Sequence, residues 1–159
     1  MKPATVTTLK KELQHHSQQD IVEICLKLAK FKKENKELLT YLIFESHDED
    51  GYIQEIKQEM DQAFAEINLN SFYFIKKSTR KILRTIKKYI RYSKKKTTEA
   101  ELLLYFCTKI SELNPSYKRS QQMINMYQRQ LSMAKKATGT LHEDLQYDFK
   151  QELELLDTL

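Results

Sequence analysis

The chain has 159 residues, enough for one domain with a sizeable core, and its 27 Lys and Arg against 22 Asp and Glu leave a formal net charge of +5. Hydrophobic content of 40% with 31% charged residues is that of a globular, charge-laced helical protein. With only two glycines (Gly51, Gly139) and two prolines (Pro3, Pro115), the chain has almost no means of making positive-φ turns, which excludes a hairpin-rich β architecture.

Helix signals run from end to end. Thr8 is placed to cap a short first helix through Leu9 and Leu13. Ser17 with Asp20 resembles a capping box, with Asp in place of Glu, ahead of Ile21, Ile24, Cys25, Leu28 and Phe31. Asn35 is the expected cap of a helix over Lys36–Phe44, after which SHDEDG reads as a loop. Ile53, Ile56, Met60, Phe64 and Ile67 mark a further helix. Asn70 or Ser71 opens a long basic helix, and Thr97 or Thr98 opens Glu99–Leu113, whose expected inward face is Leu103, Phe106, Cys107 and Ile110. Asn114-Pro115 stops it. Ser116–Ala137 and a last helix from Leu141 complete the chain, separated by Gly139 in a post-helix position. The fold expected is all-α, about seven helices stacked as antiparallel hairpins in a superhelical or bundle arrangement, forming a single domain over 1–159.

A degenerate repeat of helix pairs is visible, over 18–45, 80–113 and 116–156. Ile21 aligns with Ile82, Cys25 with Ile86 and Leu28 with Tyr89. Glu-x-Leu-x-Tyr recurs at Glu37, Glu101 and Glu143. The spacing is unequal, so no strict solenoid period exists; helical patterning alone also produces such matches.

Charge is partitioned in blocks. Glu45–Glu66 holds eight acids and one lysine, net −7; Leu141–Leu159 holds six acids and one lysine, net −5. Between them Ile75–Lys96 carries eleven cations and no acid. Its apolar residues Ile75, Ile82, Leu83, Ile86, Tyr89 and Ile90 keep helical spacing, so a core-facing stripe leaves the remaining surface cationic. Lys76, Arg80, Arg84, Lys87, Lys88, Arg91 and Lys95 form the candidate partner-binding row. The Phe72–Phe74 cluster and Tyr92 lie near it.

Residues 9–13 (LKKEL), the polar turn after them and the helix from Ile21 to Lys30 resemble the opening of an uncharacterised family of small bacterial helical proteins. The lysine-rich then leucine-rich stretch Lys76–Leu113 is similar as well, so the resemblance covers about two thirds of the chain. It implies an all-α, bacterial, cytoplasmic protein and brings no activity, cofactor or catalytic residue.

Chemical motifs are incomplete. His142-Glu143 starts a zinc-protease pattern, but Gln146 stands where the second histidine belongs. Asp48-Glu49-Asp50-Gly51 echoes a calcium loop that would place Lys57 at the bidentate-carboxylate position. His15 and His16 are adjacent, so they point to different helix faces. No glycine-rich phosphate cradle and no nucleophile elbow occur. Cys25 and Cys107 sit on apolar faces as small hydrophobes. Free thiols without an apolar leader fit a reducing cytoplasm, and no apolar run reaches the ~20 residues of a membrane span. The expectation is a non-enzymatic binding or scaffold module without cofactor, metal or small-molecule substrate. Its basic helix is expected to contact a protein with an acidic surface, or a second copy. The alternative is sequence-independent binding to a nucleic-acid phosphate backbone.

Overall fold

A computed structural model describes residues 1–158. It is all-helical, with eight α-helices, one π-helical segment and one 3₁₀ turn, and no strand among the described residues. The chain divides into two compact units, Met1–Phe44 and a second from Glu45 onward.

The first unit holds α1 (Val6–Leu13), α2 (Gln18–Phe31) and α3 (Lys33–Thr40), the last running into the π segment Tyr41–Glu45. The Ser17–Asp20 capping box forms: Asp20 N–H donates to Ser17 Oγ at 3.1 Å, and Ser17 N–H donates to Asp20 Oδ2 at 3.2 Å. Thr5, not Thr8, caps α1 by accepting from Thr8 N–H. Asn35 lies inside α3 and donates Nδ2–H to the Leu28 carbonyl at 2.8 Å, satisfying an orphan acceptor at the end of α2 instead. α2 packs on α3, yet Ile21, Val22, Leu26, Leu28 and Phe31 stay exposed.

The second unit is built around α6 (Lys96–Ser111). Leu102, Leu103, Leu104, Phe106, Cys107 and Ile110 all have zero exposure, so α6 is buried over a wider arc than the single face its sequence suggested, with the line Thr97, Glu101, Tyr105 and Thr108 half-buried. Four helices surround it: α4 (Glu49–Ala65), α5 (Phe72–Ser93), α7 (Gln121–Thr138) and α8 (Glu143–Thr158). Around this ring α4 packs on α5 and α7 on α8. α5 meets α7 through Lys76 Nζ, which donates to Gln122 Oε1 at 2.9 Å, and through Thr79 beside Met123. α4 and α8 line opposite walls of one cavity. α5 and α8 therefore lie on opposite sides of α6.

Side-chain caps start α1, α2 and α4, whereas α3, α5, α6 and α7 begin without one. Asp48 accepts from Gly51 N–H at 3.0 Å and starts α4. Ser71 stands at the α5 N-cap without a side-chain cap bond. Lys94 ends α5 in the left-handed region, φ 58°, with its N–H bonded to the Ile90 carbonyl at 2.9 Å. Thr98 does not cap α6; its hydroxyl donates to Glu49 Oε1 at 2.6 Å. A 3₁₀ turn over Tyr117–Arg119 precedes α7, and Gly139 closes α7 in a right-handed conformation. The repeat segments fall on α2–α3, α5–α6 and α7–α8, but aligned positions differ in environment: Ile21 is exposed and Ile82 is buried.

Candidate interaction surface

The long basic segment folds as one helix because its apolar positions keep a 3.6-residue period, and that period sets which cations face solvent. Ile75, Thr79, Ile82 and Ile86 face α6 and the ring neighbours. On the opposite arc Lys77, Arg80, Lys81, Arg84 and Arg91 are exposed. None of these five side chains has a hydrogen-bond or ion-pair partner among the described residues. No acidic residue of α5 interrupts them, because the helix contains none.

The seven cations singled out from sequence divide into three groups. Arg80, Arg84 and Arg91 stand on the outward arc, with Lys88 at its edge, its Nζ 5.0 Å from the centroid of the Tyr89 ring. Lys76 and Lys87 turn toward α7, Lys76 onto Gln122 and Lys87 Nζ 3.7 Å from Met133 Sδ. Burial lowers the Lys87 pKa from its ordinary value, and Arg129 adds to this; Glu99 pulls it back. Lys95 lies beyond the helix, paired with Glu49 Oε2 at 2.8 Å. Lys77 and Lys81 take their place on the outward arc. A strict helical wheel centred on the apolar stripe identifies them, whereas following one edge of the helix does not.

The acidic segments cover little of this row. From α4, Glu59 accepts a hydrogen bond from Tyr89 O–H at 3.0 Å, and Glu49 takes Lys95. Asp61 turns to α6, accepting from Tyr105 O–H at 2.7 Å and pairing with Lys109 at 3.1 Å. Those contacts hold the Asp61 carboxyl below its ordinary pKa, with the Tyr105 bond as the largest cause. α8 sits across α6, where Asp157 pairs with Lys135 at 2.6 Å.

Aromatic residues stand at the head of the row. Tyr73 and Phe74 are 65% and 42% exposed and meet edge to face, centroids 5.3 Å apart. Leu69 is exposed just before them. Beside the row, a cleft of about 270 Å³ runs between α4 and α5, floored by Ile56, Met60, Ile82 and Ile86 with Glu59 and Lys81 at its edges.

Other candidates are local features. Cys107 is buried, which pushes its thiol pKa up to about 12 and leaves it protonated; Cys25 is half-buried, and both are free. His16 Nδ1 lies 3.0 Å from the Glu12 carbonyl, and His142 Nδ1 lies 3.5 Å from Asp144 Oδ2. No helix among the described residues is long and apolar enough to cross a membrane. Comparison with protein-family models, curated proteins and solved structures finds no match.

Proposed function

We propose that this protein is a non-enzymatic helical binding module of the bacterial cytoplasm, its helices working as stacked antiparallel hairpins, which holds the acidic face of another protein against the outer arc of α5. The observation that carries this reading is the exposed Tyr73–Phe74 pair at the head of an uninterrupted cationic row. Packed protein interfaces combine aromatic anchors with a polar or charged surround, and Tyr and Arg recur among residues that dominate their energy. Arg80, Arg84 and Arg91 supply forked donors for carboxylates, and Lys77, Lys81 and Lys88 widen the positive field.

A second reading rests on the cations of α7. Arg129 and Lys136 of α7 are exposed, and Arg129 adds to the lowering of the Lys87 pKa, so cations continue from α5 onto α7. Two adjacent cationic helices could follow a phosphate backbone without reading bases.

The test is a pair of measurements on the intact chain. Fluorescence anisotropy with a single-stranded and a duplex oligonucleotide at two salt concentrations comes first. Micromolar binding that collapses with salt replaces the protein-partner reading with the nucleic-acid one. The second is capture of partners by wild type, by Arg84→Glu with Lys88→Glu, and by Tyr73→Ala with Phe74→Ala. The expected result is captured proteins with acidic surfaces that both double variants lose. Capture unchanged in both variants rejects α5 as the site.

A further inference from the structure

We propose that the outer face of α8 is an acidic docking surface for the basic face of α5 on a second copy of this chain, so that the protein associates head to tail. This rests on the reading of α5 as a site for an acidic protein surface and names one such surface.

The argument starts from where the charges stand. α5 and α8 belong to the same ring around α6 but lie across it from each other: α5 adjoins α4 and α7, and so does α8. Their outward faces therefore point in opposite directions. On one, Lys77, Arg80, Lys81, Arg84 and Arg91 are exposed; on the other, Glu143, Asp144, Asp148 and Glu154 are exposed, with a single cation, Lys150, 3.9 Å from Glu154. A single unit of this kind cannot bring the two faces together without unfolding. Two copies can do so by translation alone.

The faces match in more than sign. Each carries exposed apolar side chains among its charges: Tyr73 and Phe74 on α5, Tyr147 and Leu155 on α8. At 1.5 Å rise per residue α8 is roughly 24 Å long and α5 roughly 33 Å, so α8 fits within the basic helix. Asp144, Asp148 and Leu155, at i, i+4 and i+11, share one exposed line of α8, on which Asp148 also borders the cavity between α4 and α8. Asp148 has no partner within the chain among the described residues, and Asp144 faces only His142. Because the contact joins two different faces, a pair of copies still has one α5 face and one α8 face free, and association is open-ended unless a ring closes.

Sedimentation equilibrium of the full chain tests this. Wild type is expected to show a weight-average mass that rises with concentration at low salt, with association about tenfold weaker when salt is raised from about 0.05 M to about 0.5 M. Arg80→Gln with Arg84→Gln, and separately Asp144→Asn with Asp148→Asn, are each expected to be monomeric. Mixed in equal amounts they retain one matched pair of faces and should give a dimer that grows no further. Circular dichroism and thermal melting of each variant check that it is folded, and single variants Arg84→Gln and Asp148→Asn replace any that is not. A wild type that stays monomeric at low salt, or a mixture that stays monomeric, overturns the contact. Neither result affects capture of other acidic proteins by Tyr73, Phe74 and the α5 row, so the two readings fail separately.

Discussion

Glu49 Oε2 accepts the Lys95 ammonium at 2.8 Å while Glu49 Oε1 accepts the Thr98 hydroxyl at 2.6 Å. The Ser93 hydroxyl donates to the same carboxylate. One side chain at the start of α4 thus ties the end of α5 to the start of α6.

Glu49 is 13% exposed and Lys95 46% exposed, and this asymmetry sets the expected stability effects. Glu49→Ala leaves the buried Thr98 hydroxyl without its acceptor and Ser93 with only Thr98 Oγ1 at 3.3 Å, and should cost about 2–3 kcal/mol. Lys95→Ala removes a partly solvated ion pair and should cost about 0–1 kcal/mol. Urea denaturation of both variants measures the difference. Equal losses would mean that the ion pair, not the hydroxyl pair, holds the junction.

Glu152 carries a pH dependence of unusual sign. Burial raises its pKa above 4.5 and Glu101 adds to the rise, while Lys57 and the Thr108 hydroxyl oppose it. A carboxyl whose folded-state pKa is raised contributes stability below its unfolded pKa and loses it as pH climbs through the folded value. Glu152→Gln should therefore be more stable than wild type at pH 7 and indistinguishable from it below about pH 4.5. Asp61, held below its ordinary pKa, contributes the opposite slope: its part is present above 3.8 and lost as the pH falls further. Chemical denaturation of wild type, Glu152→Gln and Asp61→Asn at several pH values resolves the two.

Gln130 is 2% exposed, and its Oε1 has no hydrogen-bond partner. An unpaired buried acceptor costs on the order of 1–3 kcal/mol relative to a satisfied one. Gln130→Leu, which keeps the volume and removes the orphan atom, should raise stability by about 1 kcal/mol in urea denaturation. A loss instead would mean that the amide is solvated by buried water.

Tyr127 O–H donates to the Leu156 carbonyl at 2.7 Å, a buried bond that fastens α8 to α7. Tyr127→Phe leaves that carbonyl unpaired and should cost about 1–2 kcal/mol. The effect should concentrate in α8, so amide exchange in Gln151–Asp157 should accelerate more than in α6. Uniform acceleration would show that α8 does not open separately.

Sequence alone carried the all-helical class, because scarce glycine and proline and sustained 3.6-residue periodicity leave few alternatives. It also located the capping box at Ser17 and the charge blocks. These are local properties, decided within a few residues. The caps at Thr97 and Asn35 were less legible, since a hydroxyl or amide takes whichever partner the fold brings near; Thr98 found Glu49, 49 residues away.

The interaction surface depended on tertiary structure for a similar reason. Composition gives eleven cations in Ile75–Lys96, but only packing tells which are free: Lys76 reaches Gln122, Lys95 reaches Glu49, and Arg80 and Arg84 reach neither. Only the ring around α6 separates the acidic α8 from the basic α5. Charge sign is written residue by residue in the chain, whereas the distance between charges is set by which apolar stripes bury against each other. The sequence by itself determined the helices and their charges; the packing of four helices around α6 decided where those charges point.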